Sequence, residues 1–453
     1  MPATAEVVDL LQHLIRNECV NDGTDGSGNE TRNAELLRSF LTEGASPDHQ
    51  LVEPLAGRGS VIARIEGSDP EAPSLCLMGH TDVVPANAET WQRDPFCGDV
   101  VRNDDGIDEV WGRGAVDMLN QTAAMAVAFR RLARSGFRPR GTIVFLGVAD
   151  EEAGGRKGAG ALVESHADAV VTDYCLTEYG GMATDAPGGG THVSVGAAEK
   201  GSAVVRLVVK GRASHGSVPY GTDNALVTAA EVVRRFSVAR GPSRIDDTWR
   251  GWVEAQAYDD ELTATLLDPD RLWEAMPTMR RGMAGHAHAC THMTAAPTMV
   301  TGAPQQKINV IPDQVELGVD VRLLPGQHKA DVLAFIDDVL GDDLRDRVSV
   351  ELPLGARSGT ASPAGTPLWD VMQRAARRTY GDATLLPSMA SGTTDARFLR
   401  PAGVVTYGFG LLSKRVSPAD FFSRFHGKDE RIDTESLDLS VDLWEWLSRE
   451  FLS

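Results

Sequence analysis

Three short apolar runs, each ending in residues able to hold a metal ion, constrain this chain more than any other feature. They are SLCLMGH (74–80), GTIVFLGVAD (141–150) and AVVTDYCLTE (169–178). Runs of this length, apolar throughout and bounded by polar residues, are expected as parallel strands buried on both faces. Between the first two, residues 118–133 carry Ala, Met, Val, Phe and Leu at helical spacing. Strand, helix, strand in that order is the pattern of an α/β layer fold with a mostly parallel sheet. Such sheets collect ligands beyond the carboxyl ends of their strands. At those ends stand His80 and Asp82, Glu151 and Glu152, and Glu178.

A chain of 453 residues exceeds one ordinary hydrophobic core, so two domains are expected. The Gly-rich stretch DAPGGGTHV (185–193) reads as a hinge or linker, and the texture changes after it. Segments 202–211, 291–302, 314–326 and 348–352 have the pattern of strands, and 224–236 and 329–340 that of helices. Strand, helix, strand, strand, helix, strand predicts an inserted α+β, ferredoxin-like unit. The expected division is 1–194 and 356–453 for the α/β domain and 195–355 for the insertion. Residues 241–290, rich in Trp, Asp and Met without a clear period, are read as helical elaboration of the insertion.

Acidic residues outnumber basic ones 64 to 44, giving a net charge of −20 that disfavours nucleic acid and anionic membrane as partners. The five cysteines are scattered and form no CxxC pair, which fits a reducing compartment and a cytoplasmic location. At the start, Val7, Val8, Leu10, Leu11, Leu14 and Ile15 recur at helical spacing, predicting an amphipathic surface helix rather than a leader. No apolar run approaches the roughly 18 residues of a membrane span.

The chemistry-bearing residues each have a plain structural reading beside the functional one. His80 and Asp82, two apart on a strand, share a side, so one can bind metal while the other fixes its tautomer. A lone His-x-Asp is more often a satisfied polar pair. Asp117, in WGRGAVDMLN (111–120), stands where a loop meets a helix and suits an N-cap. The same carboxylate could bridge two cations about 3.5–4 Å apart. In ADEEAGG (149–155) one acidic residue could hold metal and its neighbour act as general base. An exposed acidic loop is the rival reading, weakened by the apolar strand before it. Glu178 and His426, the latter in FSRFHGKDER (422–431), complete a donor set of nitrogen and oxygen alone, suited to a catalytic rather than structural zinc site.

The motifs HTDVVP, GRGAVDM, ADEEAGG and HGKDER, with their spacing from about residue 80 to about 431, resemble the M20 metallopeptidase and deacylase family. The resemblance implies a catalytic α/β domain interrupted by a lid domain that can mediate a homodimer. It also implies two Zn2+ per chain, with Co2+ or Mn2+ as substitutes. His80 and Glu178 would hold one ion, Glu152 and His426 the other, and Asp117 would bridge them. Asp82 would orient His80, and Glu151 would be the general base. GRASHGSVP (211–219) resembles the lid motif whose His, here His215, stabilises the oxyanion, often from the partner subunit. In INVIPDQVELGVDVR (308–322), Asn309 and Arg322 would contact substrate, as would Gly392 and Thr393 of SGTTDARF (391–398). The family often has Lys-Gly after the bridging Asp, whereas here Leu119-Asn120 follows Met118. His286, His288 and His292 match no family ligand and are read as surface residues. The function implied is di-zinc hydrolysis of amide bonds in small N-acyl amino acids or short peptides. A dipeptidase or carboxypeptidase, or a non-catalytic binding protein on this fold, is the alternative.

Overall fold

The three apolar runs form strands Leu75–His80, Ile143–Val148 and Tyr174–Thr177, buried along almost their whole length. In a computed structural model that describes residues 3–302 and 307–453, Leu75–His80 lies between the other two and pairs with both in parallel. His80 is opposite Val148, so the His80 strand and the strand leading into Glu151 end at one level. The sheet has ten strands, parallel through the centre and with antiparallel pairs toward both flanks. Helix Leu119–Arg134 is buried from Leu119 to Arg130 without a break. Its alanines let it lie between the sheet and helices Ala3–Arg16 and Thr434–Phe451 in the main core. Val7, Leu10, Leu11, Leu14 and Ile15 form the buried face of the first of these, as their spacing predicts.

The Gly-rich stretch is not a linker. Ala183–Asp185 and Thr191–Glu199 are antiparallel partners in the large sheet, and the glycines make the turn between them. Gly189 and Gly190 have φ of 93° and 83°, a region that side-chain-bearing residues rarely adopt. The sequence signal was turn chemistry, and turn and linker share it.

The passage to a second sheet comes at Lys200. Strands Gly201–Lys210, Thr294–Gly302, Gln314–Leu323 and Val348–Glu351 pair antiparallel, with Gly201–Lys210 and Gln314–Leu323 in the middle. Gln314–Leu323 alternates buried and half-buried residues throughout, the pattern of a strand with one face on a core. That core includes Val205, Leu207, Val319 and Val321 of the sheet and Val232, Phe236, Phe335 and Ile336 of helices Ala225–Val238 and Lys329–Leu344. It is separate from the core of the large sheet.

Residues 241–290 are helical, but they do not merely decorate the second sheet. Asp246, Asp259 and Asp268 cap three short helices, which is why no long period is visible. Trp249, Val253, Leu272 and Cys290 pack together with Ala198 and Met389 of the large sheet and with Leu324. The three histidines at the end of this segment are not surface residues either. His292 is fully buried, and His286 lies against Trp249 and Trp252 with ring centroids 5.6 and 4.9 Å away. Burial lowers the ionisation of both, that of His292 to about 4, so they pack as neutral aromatic groups. No helix among the described residues is long and apolar enough to cross a membrane.

Candidate metal centre

The parallel register that aligns the strand ends also gathers their side chains. His80 Nε2 lies 3.1 Å from Asp117 Oδ1 and 3.8 Å from Glu178 Oε2. His426 Nε2 lies 2.8 Å from Asp117 Oδ2 and 3.3 Å from Glu152 Oε2. Two donor groups result, His80–Asp117–Glu178 and Asp117–Glu152–His426, each with its donor atoms within 4.8 Å of one another. Asp117 belongs to both and turns one oxygen to each. It is not the helix N-cap that its position suits: Met118 holds that position, and the Asp117 carboxylate faces the imidazoles.

The electrostatics follow from crowding acids in a buried place. Burial works against the charge of Asp117, yet hydrogen bonds from His426 and His80 outweigh it and hold the carboxyl at about 2. Burial and the charges of Glu178 and Asp395 push Glu151 well above the usual carboxylate range. Burial, with the charges of Asp117 and Glu152, does the same to Glu178. Hydrogen bonds to Asp117 and Glu152 raise His426 to about 10. So many carboxylates in a low-dielectric pocket call for positive charge. Glu152 Oε1 is buried with no hydrogen-bond partner, an acceptor left free toward that charge.

Asp82 works differently from a simple orienter of His80. The nearest acceptor to His80 Nδ1 is the Asp82 backbone carbonyl at 3.0 Å, with the carboxylate 3.5 Å away. That carboxylate accepts the backbone N–H groups of Glu151 and Glu152, at 3.2 and 3.1 Å, and the side-chain amide of Asn21 at 2.8 Å. One buried carboxylate thus sets the loop that carries two acidic candidates.

Four further supports escaped the sequence reading. Glu430, fully buried, accepts N–H bonds from Val116 and Asp117 at 2.7 and 3.1 Å and pairs with Arg113 at 2.7 Å, fixing the loop before Asp117. It lies inside HGKDER, but nothing in a run of charges says which one turns inward. Glu199 accepts the backbone N–H and hydroxyl of Thr394, at 2.7 and 2.9 Å, holding the 391–398 loop. Asp395 is buried beside Glu151, both its oxygens lack a partner, and burial raises it to about 7. It also explains a glycine: a β-carbon on Gly155, whose φ is 64°, would fall 2.1 Å from Asp395 Oδ1. Asn21, far from every motif, gave no signal.

The remaining sequence candidates are held by local contacts, and none hydrogen-bonds to the cluster. His215, exposed on the short strand Ser214–His215, uses Nδ1 to bond the Ser217 backbone N–H and hydroxyl at 3.2 and 2.7 Å. Asn309 is exposed and offers its carbonyl to Gly216 N–H at 2.8 Å. Arg322 Nε donates to Asp320 on its own strand at 3.0 Å. Gly392 is exposed, and the Thr393 hydroxyl accepts from Arg397.

The model of peptidase family M20/M25/M40 matches residues 76–450. An N-fatty-acyl-amino acid synthase/hydrolase, PM20D1 of Xenopus tropicalis, is 27% identical over 97% of this chain and 84% of its own length. A succinyl-diaminopimelate desuccinylase of Phenylobacterium zucineum is 27% identical over 93% of this chain and 94% of its own. Among solved structures, the M20 family metallo-carboxypeptidase Sso-CP2 of Sulfolobus solfataricus superposes with a TM-score of 0.70 at 16% identity, over 100% of this chain and 99% of that one.

Proposed function

Because the chain belongs to peptidase family M20/M25/M40 and is a metal-dependent hydrolase of amide bonds, we propose that it removes the acyl group from small N-acyl amino acids at a two-zinc centre. The observation that carries this reading is the pair of donor groups sharing Asp117. His80, Asp117 and Glu178 would hold one ion, and Asp117, Glu152 and His426 the other, an all nitrogen-and-oxygen set suited to catalytic zinc. When bound, the pair supplies Lewis acidity to the scissile carbonyl and makes water a nucleophile at neutral pH. Glu151, half-buried beside Glu178 and Glu152, would take a proton from the attacking water and return it to the leaving nitrogen. The carbonyl C–N bond breaks, a C–O bond forms, and the products are a carboxylic acid and an amine. Deacylation is favoured over dipeptide cleavage by the two relatives above, both named for N-acyl substrates.

We take the second sheet with its helices, from strand Gly201–Lys210 to strand Ala356–Arg357 rather than 195–355, as a lid. His215 would stabilise the oxyanion, Asn309 and Arg322 would engage the substrate, and Gly392 and Thr393 would donate from the opposite side. Large apolar side chains flank His215 in the open: Tyr220 is 99% exposed, Val218 67% and Val310 47%. Such a patch suits coverage by another surface, and a homodimer through the lid would provide it. The test is Glu151→Gln, assayed on N-acyl amino acids beside dipeptides. Zinc content should stay at about two per chain while turnover falls by about 10²–10⁴. Turnover near that of the unaltered chain would remove Glu151 from the mechanism, and zinc content near zero in the unaltered chain would remove the centre.

A further inference from the structure

A cavity of about 290 Å³ opens beside Glu178, at the lower end of the roughly 300–1,000 Å³ typical of small-molecule sites. Met118, Met182, Leu386, Met389, Phe421 and Phe425 supply much of its wall. Four of its lining residues are chain neighbours of the donors: Val116 and Met118 flank Asp117, Tyr179 follows Glu178, and Phe425 precedes His426. The Phe425 ring stacks on the His426 imidazole, centroids 5.0 Å apart. The cavity therefore shares its walls with both donor groups. Among the described residues no Lys or Arg lines it, and the one carboxylate in its wall is Glu178 itself. His286 borders it from the helix Arg281–Thr291, held neutral by burial against two tryptophans.

The loop neighbours of the Glu151–Glu152 turn have the opposite character. Arg397 bonds the Thr393 hydroxyl and approaches Gly155, at the end of the Glu151–Glu152 turn. Its Nε and Nη2 are buried with no partner, and its charge reaches Arg357, as does that of Arg156. A substrate at the centre thus has unsatisfied cationic donors near the Glu151–Glu152 turn and a mainly apolar chamber beside Glu178. An amino-acid carboxylate belongs with the first and a hydrocarbon with the second.

We infer that this cavity is an acyl-chain pocket, and that the preferred substrates carry a medium-length apolar acyl group rather than an acetyl or a dicarboxylic acyl such as succinyl. The inference rests on the hydrolase reading above and specifies its substrate. A succinyl group would bring a second carboxylate into a chamber that offers it no cation, a costly burial. Each methylene buried there should instead improve kcat/KM about three- to fourfold until the chamber fills.

The experiment measures kcat/KM of the zinc-loaded chain on N-acetyl, N-butyryl, N-hexanoyl, N-octanoyl and N-succinyl derivatives of leucine, phenylalanine and lysine. The expected result is a rise of at least about 50-fold from acetyl to octanoyl, with succinyl no better than acetyl. Met182→Arg, which sets a cation in the chamber, should lower the octanoyl-to-acetyl ratio at least about tenfold. Thr184→Trp, filling the cavity from a half-buried position on an edge strand, should lower the same ratio where the first variant does not fold. Turnover with no preference for chain length, a preference for succinyl, or an unchanged ratio in folded variants would overturn the pocket assignment alone. No turnover of any member would overturn the hydrolase reading and this inference with it.

Discussion

The ends of the central strands carry the donor motifs and the unit built on the second sheet carries the substrate motifs, yet only the first set is gathered into a cluster. His80, Asp117, Glu152, Glu178 and His426 meet within hydrogen-bonding or ion-pair distance, the first, second and fourth buried, Glu152 half-buried and His426 exposed. His215, Asn309 and Arg322 are instead occupied by Ser217, Gly216 and Asp320, neighbours within the second unit. The difference is mechanical. Strand ends in register cannot avoid one another, and buried carboxylates such as Asp82 and Glu430 clamp the loops that extend them. A side chain on a separate sheet with its own core is positioned by that unit's contacts and not by the register of the strand ends.

The sharpest way to break the comparison is Asp117→Ala. If the two donor groups are one device, losing the shared carboxylate should reduce bound zinc from about two ions per chain to below one and turnover to background, by metal analysis and assay. Glu151→Gln comes next, with its loss of about 10²–10⁴ in kcat at unchanged zinc content. Retained zinc separates a residue that moves protons from one that holds metal. His215→Ala tests the other region. A loss of about 10²–10³ in kcat, zinc unaltered, would put this exposed side chain at the reacting carbonyl, and kcat within about twofold would confine it to its own sheet. Mixing His215→Ala with an inactive Glu151→Gln chain should restore turnover if the histidine acts across a dimer.

Two smaller effects sharpen the contrast. Glu430→Gln removes the charge that binds Arg113 and the Val116 and Asp117 N–H groups, touching no substrate. Zinc affinity should fall about 10–100-fold, with kcat recovering at saturating zinc. The smallest effect concerns the passage between the sheets. Lys200, buried and donating to the His292 carbonyl at 2.8 Å, is lowered by burial from 10.5 to about 8. Between those values the unfolded chain binds more protons than the folded one, so this group adds stability as pH rises from about 8 to 10.5 and withdraws it as pH falls through 8. Denaturant titrations across that window should lose this slope in Lys200→Met.

The amino-acid sequence determined the elements and the donor set. Apolar runs of strand length closed by His or Glu, a helix built on alanine, and alternation along 314–323 are local patterns, and local patterns survive in one dimension. It also supplied the five donors through motifs whose spacing reflects the order of strands. It did not distinguish a glycine turn from a linker, since both need the same backbone freedom. Nor did it show that Asp117 turns from the helix to the imidazoles, that Glu430 and Asn21 are the charged and polar residues that face inward, or that residues 241–290 bridge two cores and bring His286 to an apolar chamber. Those outcomes depend on which groups share a buried volume. Burial and charge pairing are set by neighbours distant in the chain, and the fold alone decides who they are.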